Sequence, residues 1–214
     1  LLHAGEPTLM VAVGAQVILI ILGTVIGLIC GYYNKVERIV MRILEAFATI
    51  PNMLLTMLVL SLFKFDKEKT LLENALPMML SLSIHGVPGL ARMIRNQVLS
   101  LREKEYIESE KAMGASDARI IFKHIVPNCI GTVIIQASMA MSQMILQAAS
   151  LSFIGMGIQP PEPEWGAMLS GARDYMASAP WLMLFPGLFI MLSAYSFNLI
   201  GDGLRDALDP KLKS

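Results

Sequence analysis

The sequence predicts an all-α membrane protein with five spanning helices. Its 214 residues are 55% hydrophobic and only 16% charged, and the mean hydropathy of +0.59 is too high for an ordinary soluble domain. The apolar residues form long stretches, whereas a soluble helical bundle would show apolar stripes with charged faces between them. A single transmembrane domain over residues 1–214 accounts for both observations.

Five stretches approach the roughly 20 apolar residues that a spanning helix needs. The first contains no charged residue. The second contains Pro51, which should bend it because proline cannot donate a backbone hydrogen bond. The third is interrupted by His85 and by neighbouring Gly and Pro residues. The five stretches are residues 9–31, 36–63, 77–94, 128–155 and 181–203.

Three glycines in the first stretch recur every fourth residue, at Gly23, Gly27 and Gly31. These two overlapping GxxxG repeats allow another helix to approach the backbone closely. The approaching helix belongs either to the same bundle or to another subunit, and a multispan domain needs the internal contact in any case.

A charged, helix-forming insert at residues 105–127 separates the third and fourth stretches. Helix formers precede Met113, Gly114 is free to adopt a positive φ, and Ser116 can cap a second helix that begins at Asp117. The insert is therefore predicted to fold as a helix, a sharp turn and a second helix. Such an element can project from a membrane and seat in a soluble partner.

The basic residues follow the positive-inside rule if this insert is cytoplasmic. Of the 17 Lys and Arg residues, only Lys64, Lys67, Lys69 and Arg173 then fall on the opposite side. The C-terminus is predicted to be cytoplasmic and residue 1 external. Cys30 and Cys129 should lie near cytoplasmic ends of spans, where thiols remain reduced and no disulfide is expected. No signal peptide is expected at the start of the chain.

Several motifs resemble the membrane subunits of bacterial ABC importers. Glu108, Gly114 and the sequence Ile125-Val126-Pro127 match the cytoplasmic coupling loop of these permeases. Further stretches look like the dipeptide, oligopeptide and nickel branch of the family and follow its order along nearly the whole chain. They are GVPGLAR at 86–92, QVLSLRE at 97–103, LSFIGMGIQPP at 151–161, EWGAML at 164–169, and the segment from FNL at 197–199 to LDP at 208–210.

The resemblance implies a type I ABC importer permease core with five of the usual six spans, the family's first helix being absent. Residues 101–127 would be the cytoplasmic coupling loop, and residues 156–180 an external loop. The implied partners are a second homologous permease, two cytoplasmic ATPase subunits and an extracytoplasmic substrate-binding protein. The implied location is the plasma membrane of a bacterium, with the lipid bilayer as solvent.

The residues expected to dock on the ATPase are those of the insert around its turn. In this region the family has Glu-Ala-Ala, whereas this chain has Glu108-Ser109-Glu110, and His124 stands where an aliphatic residue is common. The extra negative charge bears on which partner the loop accepts. The docking residues are Glu105, Glu108, Ser109, Glu110, Ala112, Gly114, Ala115, Ser116 and Asp117.

The chain itself is not expected to be an enzyme. The phosphate-binding pattern GxxxxGK[ST] is absent, and so are HExxH and GxSxG motifs. ATP would be used by the partner subunits, and no cofactor, resident metal or nucleic acid is expected on this chain.

A polar stripe is predicted on the fourth span. Its residues fall within about 60° of one another on a helix, and amides are costly against lipid, so they should face other helices or a water-filled path. They serve either as hydrogen bonds between helices or as contacts to a passing peptide backbone. The stripe consists of Thr132, Gln136, Gln143, Gln147 and Ser150.

His85 is the one histidine expected near mid-membrane, where ionisable residues are often functional. One imidazole cannot complete a coordination shell, so packing with a hydrogen bond to a neighbouring helix is the simpler expectation. Nickel or a metal chelate nevertheless remains the alternative substrate to a peptide. A passive channel or a membrane scaffold is the alternative from a different class.

The external segment at residues 159–165, QPPEPEW, is stiff and proline-rich and ends in Trp165. It is either a lid or docking surface for the external binding protein, or a rigid connector.

Overall fold

The structure is a computed structural model that describes residues 1–63, 70–158 and 161–208. The described residues form helices joined by short turns, and they contain no strand, which confirms the all-α fold class. A π-helical turn joins α6 to α7, and a short 3-10 helix follows α8. The helices are α1 (Leu2–Tyr32), α2 (Asn34–Ala48), α3 (Asn52–Ser61), α4 (Leu71–Arg102), α5 (Glu105–Ala112), α6 (Asp117–Ile120), α7 (Val126–Phe153), α8 (Trp165–Gly171) and α9 (Trp181–Leu208).

Three of the described helical segments are long and apolar enough to cross a membrane. They are Leu2–Tyr32, Asp117–Phe153 and Trp181–Ala207. Their outward surfaces expose many large apolar side chains, as helices that face lipid or another subunit must. The first, fourth and fifth predicted spans are therefore present as apolar helices.

The second predicted span is broken. Helices α2 and α3 meet at an angle of 98°, with Pro51 as the residue that precedes α3. The bend expected at Pro51 is confirmed, but residues 36–63 do not form one continuous helix; α2 and α3 count as a fourth span only if the bent pair is taken together. Residues 64–69 lie outside the described part of the chain.

The third predicted span is a helix of 32 residues, α4, that does not meet the same standard of apolarity. Ser81, Ser83 and His85 dilute its apolar run. Helix α4 nevertheless packs along most of the length of α1. Five spans therefore remain a prediction. Helix α4 is less apolar than the three candidate spans, although it packs against one of them, α1.

The glycine repeats of α1 pack against α4, as the internal alternative predicted. A Cβ atom added at Gly27 would lie 2.7 Å from the backbone oxygen of Ala91, and one added at Gly31 would lie 2.5 Å from the Val98 side chain. Gly23 faces Leu90 in the same way. Later glycines of α1 face later residues of α4, so the two helices run parallel. The chain that connects the end of α1 to the start of α4 must therefore run back in the opposite direction.

Helices α7 and α9 form the other main pair. Ser142 of α7 donates a hydrogen bond of 2.7 Å to the Asn198 amide oxygen of α9. Gly201 of α9 faces the backbone at Met139, so this pair runs antiparallel. The buried core lies between α1, α4, α7 and α8, and it includes Val11, Met78, Ile94 and Ile145.

Candidate functional site: the coupling element and the amide-lined cavity

The segment between α4 and α7 folds as the predicted helix, turn and helix. Helix α5 ends at Ala112, Gly114 has a φ of 82°, and the Ser116 hydroxyl accepts a hydrogen bond of 3.4 Å from the Arg119 amide at the start of α6. Only glycine adopts such a φ at no steric cost, which explains why the turn falls at this residue. We call residues 105–125 the coupling element.

Three buried isoleucines fix the coupling element to the membrane domain. Ile107, Ile120 and Ile125 have no exposed surface. Full burial of an apolar side chain of this size stabilises the folded protein by roughly 1.5–3 kcal/mol. The element is therefore held against the membrane domain at both its first and its second helix.

The opposite surface of the coupling element is exposed. It carries three large apolar side chains that the sequence analysis did not single out: Tyr106, Met113, which is 75% exposed, and Phe122, which is 73% exposed. Exposed apolar groups beside a sharp turn are typical of a protein contact surface. The predicted docking residues that share this exposure are Glu105, Glu108, Ser109, Ala112, Gly114, Ser116 and Asp117, whereas Glu110 and Ala115 are half-buried.

Two residues that depart from the family pattern, Glu110 and His124, contact each other. The Glu110 carboxylate lies 3.2 Å from His124 Nε2 and 3.8 Å from Arg119 Nε. Ser109 donates a hydrogen bond of 2.9 Å to the backbone oxygen of Glu105 within α5. The Glu110 carboxylate therefore lies close to Arg119 of α6 and to His124 of the π-helical turn, and it forms an ion pair with His124 when that imidazole is protonated.

Asp117 is also engaged inside the chain. Its carboxylate accepts a hydrogen bond of 2.7 Å from the Tyr32 hydroxyl and one of 3.4 Å from the Tyr33 hydroxyl. The Lys111 ammonium lies 5.7 Å from the centre of the Tyr32 ring. These contacts join the coupling element to the end of α1, and nothing in the sequence pattern indicated them because the residues lie 85 positions apart.

A cavity of about 330 Å³ lies between α3, α4 and α7. Gln143, Gln147 and Ser150 of the predicted stripe line it, and α3 adds Asn52 and Thr56. Thr132 and Gln136 do not line it. Asn52 and Thr56 were not predicted as site residues, because residues 36–63 were interpreted as one apolar span bent at Pro51.

The glutamines of the stripe make no hydrogen bond with any residue that the structure describes, while Ser150 donates one of 2.7 Å to the Leu146 backbone oxygen. Gln136 and Gln143 are exposed on the outer surface of this chain. Within the described residues the amides therefore do not join helices. Their donors and acceptors remain available toward the cavity and the outer surface of α7.

His85 is half-buried on α4, and its Nδ1 atom is buried with no hydrogen-bond partner among the described residues. The hydrogen bond to a neighbouring helix that the sequence analysis expected is therefore missing at this nitrogen. The described residues also contain no group of three or more His, Cys, Asp or Glu side chains placed to hold a metal ion. Both cysteines are buried and free.

The external segment is anchored rather than open. Trp165 is buried, and its indole N–H donates a hydrogen bond of 2.9 Å to the Leu1 backbone oxygen. Thr8 of α1 donates a hydrogen bond of 3.2 Å to the buried Glu164 carboxylate, which in turn accepts one from the Ala167 amide and caps α8. Burial raises the pKa of Glu164, and these hydrogen bonds oppose the rise.

The anchoring of Glu164 and Trp165 favours the rigid connector over a lid built on Trp165. Residues 159 and 160 of this segment lie outside the described residues. Pro161 and Pro163 remain exposed.

Comparison with known proteins identifies the family. The binding-protein-dependent transport system inner membrane component family matches residues 23–214. A dipeptide transport system permease protein of Alkalihalophilus pseudofirmus is 45% identical over 196 residues, which is 91% of this chain. A glutathione transport system permease protein of Pectobacterium atrosepticum is 44% identical over 90% of this chain. The chain spans 62% of the length of each of these two relatives.

The fold also has a solved counterpart. A chain of the inward-facing MetNI methionine ABC transporter superposes with a TM-score of 0.72 and 20% sequence identity, covering 98% of this chain and 96% of that one. At this identity the likeness concerns the fold alone. With the match over residues 23–214, the chain belongs to the family of binding-protein-dependent transport system inner membrane components, the permease subunits of ABC importers.

Proposed function

We propose that this chain is the membrane-spanning permease subunit of an ATP-driven importer that takes up peptides. The observation that carries the proposal is the coupling element, whose turn at Gly114 projects from two helices that lead directly into α4 and α7. The relatives named for dipeptide, di/tripeptide and oligopeptide transport support the substrate class. The chain hydrolyses no ATP itself and depends on two separate cytoplasmic ATPase subunits.

The remaining partners follow from the same family membership. A second homologous permease completes the pathway, and an extracytoplasmic binding protein delivers the substrate. Gln143, which lines the cavity and is exposed on one surface of α7, suits a pathway shared with the second permease because lipid would be a poor environment for it. The complex lies in the bacterial inner membrane with the C-terminus and the coupling element on the cytoplasmic side.

Mechanical transmission would proceed through contacts already present in the chain. A partner that moves Met113 and the turn at Gly114 moves α5 and α6 as a braced unit, because Glu110 holds α5 to Arg119 and His124. The unit is tied to α1 by Asp117 and Tyr32. Movement of the ATPases would thus reach α1, α4 and α7 together and change access to the cavity.

Peptides are favoured over nickel by the lining of the cavity. Asn52, Gln143 and Gln147 offer amide donors and acceptors that complement a peptide backbone without selecting its side chains. A nickel or metal-chelate importer is the second candidate, supported by His85, whose Nδ1 has no partner among the described residues.

The test is uptake by proteoliposomes that contain the complete complex and its binding protein. With a labelled dipeptide, uptake should require hydrolysable ATP inside the compartment that bears the ATPases and should stop with a non-hydrolysable analogue. Uptake that continues without ATP would indicate a passive channel, and no uptake of peptide or nickel under any condition would indicate a scaffold.

A further inference from the structure

Helix α2 presents an uncovered apolar stripe on its outer surface. Val36, Ile39, Ile43 and Phe47 recur at spacings of three and four residues, which places them on one side of the helix. All four are exposed, and Ile39 is 66% exposed. The 98° break after α2 directs this helix away from the axis of α3.

The charges of α2 are divided between two other sides of the helix. Its two acidic residues face α4, where Glu37 pairs with Arg95 and Glu45 lies 3.9 Å from Arg92. Its three basic residues, Lys35, Arg38 and Arg42, are exposed and form no ion pair with any residue that the structure describes. They fall within about 60° of one another beside the apolar stripe.

A cavity of about 440 Å³ lies where α2 begins. Tyr32, Tyr33, Lys35, Val36 and Arg102 line it, together with Asn34. Arg102 is fixed there because it donates hydrogen bonds to the backbone oxygens of Gly31 and Tyr32. The cavity thus combines two cationic side chains with aromatic rings and an apolar side chain, next to the exposed stripe.

We propose that α2 and this cavity form a binding site for anionic phospholipid of the cytoplasmic leaflet; the assignment of the leaflet rests on the proposed function. Lys35, Arg38 and Arg42, with Arg102 at the cavity, contact the phosphate of the headgroup. Ile39 and Ile43 contact the acyl chains.

Three uncompensated cations beside an apolar stripe match a lipid interface better than a protein contact. A protein partner would have to supply three acidic groups next to a continuous apolar surface, whereas an anionic bilayer presents both chemistries side by side. Tyr33 suits the same depth, because aromatic hydroxyl side chains favour the interface. Bound lipid would hold in place the α1–α2 junction, which Asp117 of the coupling element contacts through Tyr32 and Tyr33.

The first test measures what covers the stripe. A nitroxide is placed at Ile39→Cys in the assembled complex in bilayers of phosphatidylcholine with phosphatidylglycerol. The label should collide readily with oxygen and poorly with a water-soluble nickel chelate, as lipid-exposed groups do. Protection from both reagents would show that protein covers α2, and ready collision with the nickel chelate would show that water does; each result would overturn the proposal.

The second test measures the headgroup preference. Native mass spectrometry of the complex, titrated with phosphatidylglycerol and phosphatidylcholine, should show preferential retention of phosphatidylglycerol. Neutralising the site with K35Q, R38Q and R42Q together should reduce that preference by about tenfold or more. The charge-preserving set K35R, R38K and R42K should retain it. Equal preference in the neutralised and charge-preserving proteins would contradict the proposal.

Neither test uses ATP or transported substrate. A complex that fails to import peptides but keeps both lipid results would disprove the proposed function and leave the lipid site intact. Conversely, an importer that works normally and shows no phosphatidylglycerol preference would disprove the lipid site alone.

Discussion

Gly114 is a residue whose backbone conformation determines the shape of the coupling element. Its φ of 82° is accessible to glycine, and a β-branched residue there is strained by about 1–2 kcal/mol or more. A Cβ atom at this position would meet no other atom within 4 Å, so the strain lies in the backbone alone. This turn was predictable from the sequence, because a lone glycine followed by a capping serine is a local signal.

We expect Gly114→Val to lower the amount of peptide imported per ATP hydrolysed, because it distorts the surface that the ATPase would contact. Gly114→Asn is the matched control, since asparagine tolerates a positive φ better than other residues with a side chain. The measurement is uptake and ATP hydrolysis in the same proteoliposomes. Equal coupling in the valine and asparagine variants would show that the turn geometry is unimportant.

Glu164 gives a pH dependence to the stability of the region around α8. Because burial raises the pKa of its carboxyl in the folded protein, the folded state holds this proton more tightly than the unfolded chain does. The contribution of Glu164 to the free energy of unfolding should therefore fall as pH rises above the ordinary carboxyl value of about 4.3 toward the raised pKa.

We expect Glu164→Gln to remove this part of the pH dependence while keeping an oxygen that can accept the Ala167 hydrogen bond. The measurement is the thermal unfolding midpoint of the purified protein between mildly acidic and neutral pH. Glu162→Gln, at an exposed neighbouring position, is the control and should leave the pH profile unchanged. A profile of Glu164→Gln that parallels the unmodified protein would disprove the assignment.

At the scale of the elements, the junction between α1 and the coupling element depends on a hydrogen bond to a charged group. Tyr32 donates to Asp117 at 2.7 Å, and such bonds contribute roughly 1.5–3 kcal/mol. Tyr32→Phe should therefore weaken the link and reduce transport per ATP hydrolysed. Tyr33→Phe is the control and should have a smaller effect, because it removes only the longer hydrogen bond of 3.4 Å to the same carboxylate.

The double variant Tyr32→Phe with Asp117→Asn tests whether the two side chains act as a pair. If they do, the double variant should be no more impaired than the more impaired of the two single variants, because the second change removes an interaction already lost. Independent, additive losses of coupling would show that Asp117 acts on something other than Tyr32.

Helix α7 carries the amides that line the cavity, and its periodicity made the stripe visible in the sequence. We expect Gln143→Leu with Gln147→Leu to reduce peptide uptake by about tenfold while the complex still assembles, because leucine cannot form the hydrogen bonds that we propose these amides make with the substrate. Gln136→Leu is the control, being on the same stripe but outside the cavity. Uptake by the double variant that matches Gln136→Leu would assign the amides to packing.

Some features of these elements leave a signal along the sequence of one helix, and others do not. Periodicity predicted the stripe on α7, and the GxxxG spacing predicted a close helix contact, because both signals repeat along one helix. The partner of that contact, α4, and the partner of Asp117, Tyr32, are set by tertiary packing, which leaves no local trace. The bend at Pro51 was predicted, but its size was not, and so Asn52 and Thr56 were missed as cavity residues.

For the whole molecule, the parallel packing of α1 and α4 determines how the chain is threaded. Because α1 and α4 run in the same direction, the chain must cross back between them. The bent α2–α3 pair lies in this part of the chain and must make that crossing. The coupling element after α4 and the loop after α7 are therefore predicted to lie on opposite sides of the membrane. The distribution of basic residues predicts that the coupling element is on the cytoplasmic side.

This threading predicts opposite labelling of two exposed positions. In vesicles that contain the permease without its ATPase subunits, Met113→Cys in the coupling element should react with a membrane-impermeant maleimide only when the vesicles are inverted. Tyr175→Cys, in the short helix after α8, should react only in right-side-out vesicles. Both side chains are exposed, at 75% and 56%, and the native Cys30 and Cys129 are buried, so background labelling should be low. Labelling of both positions from the same side would show that the chain crosses the membrane an even number of times between α5 and α8. That result would contradict the pathway through which the coupling element is proposed to open the cavity.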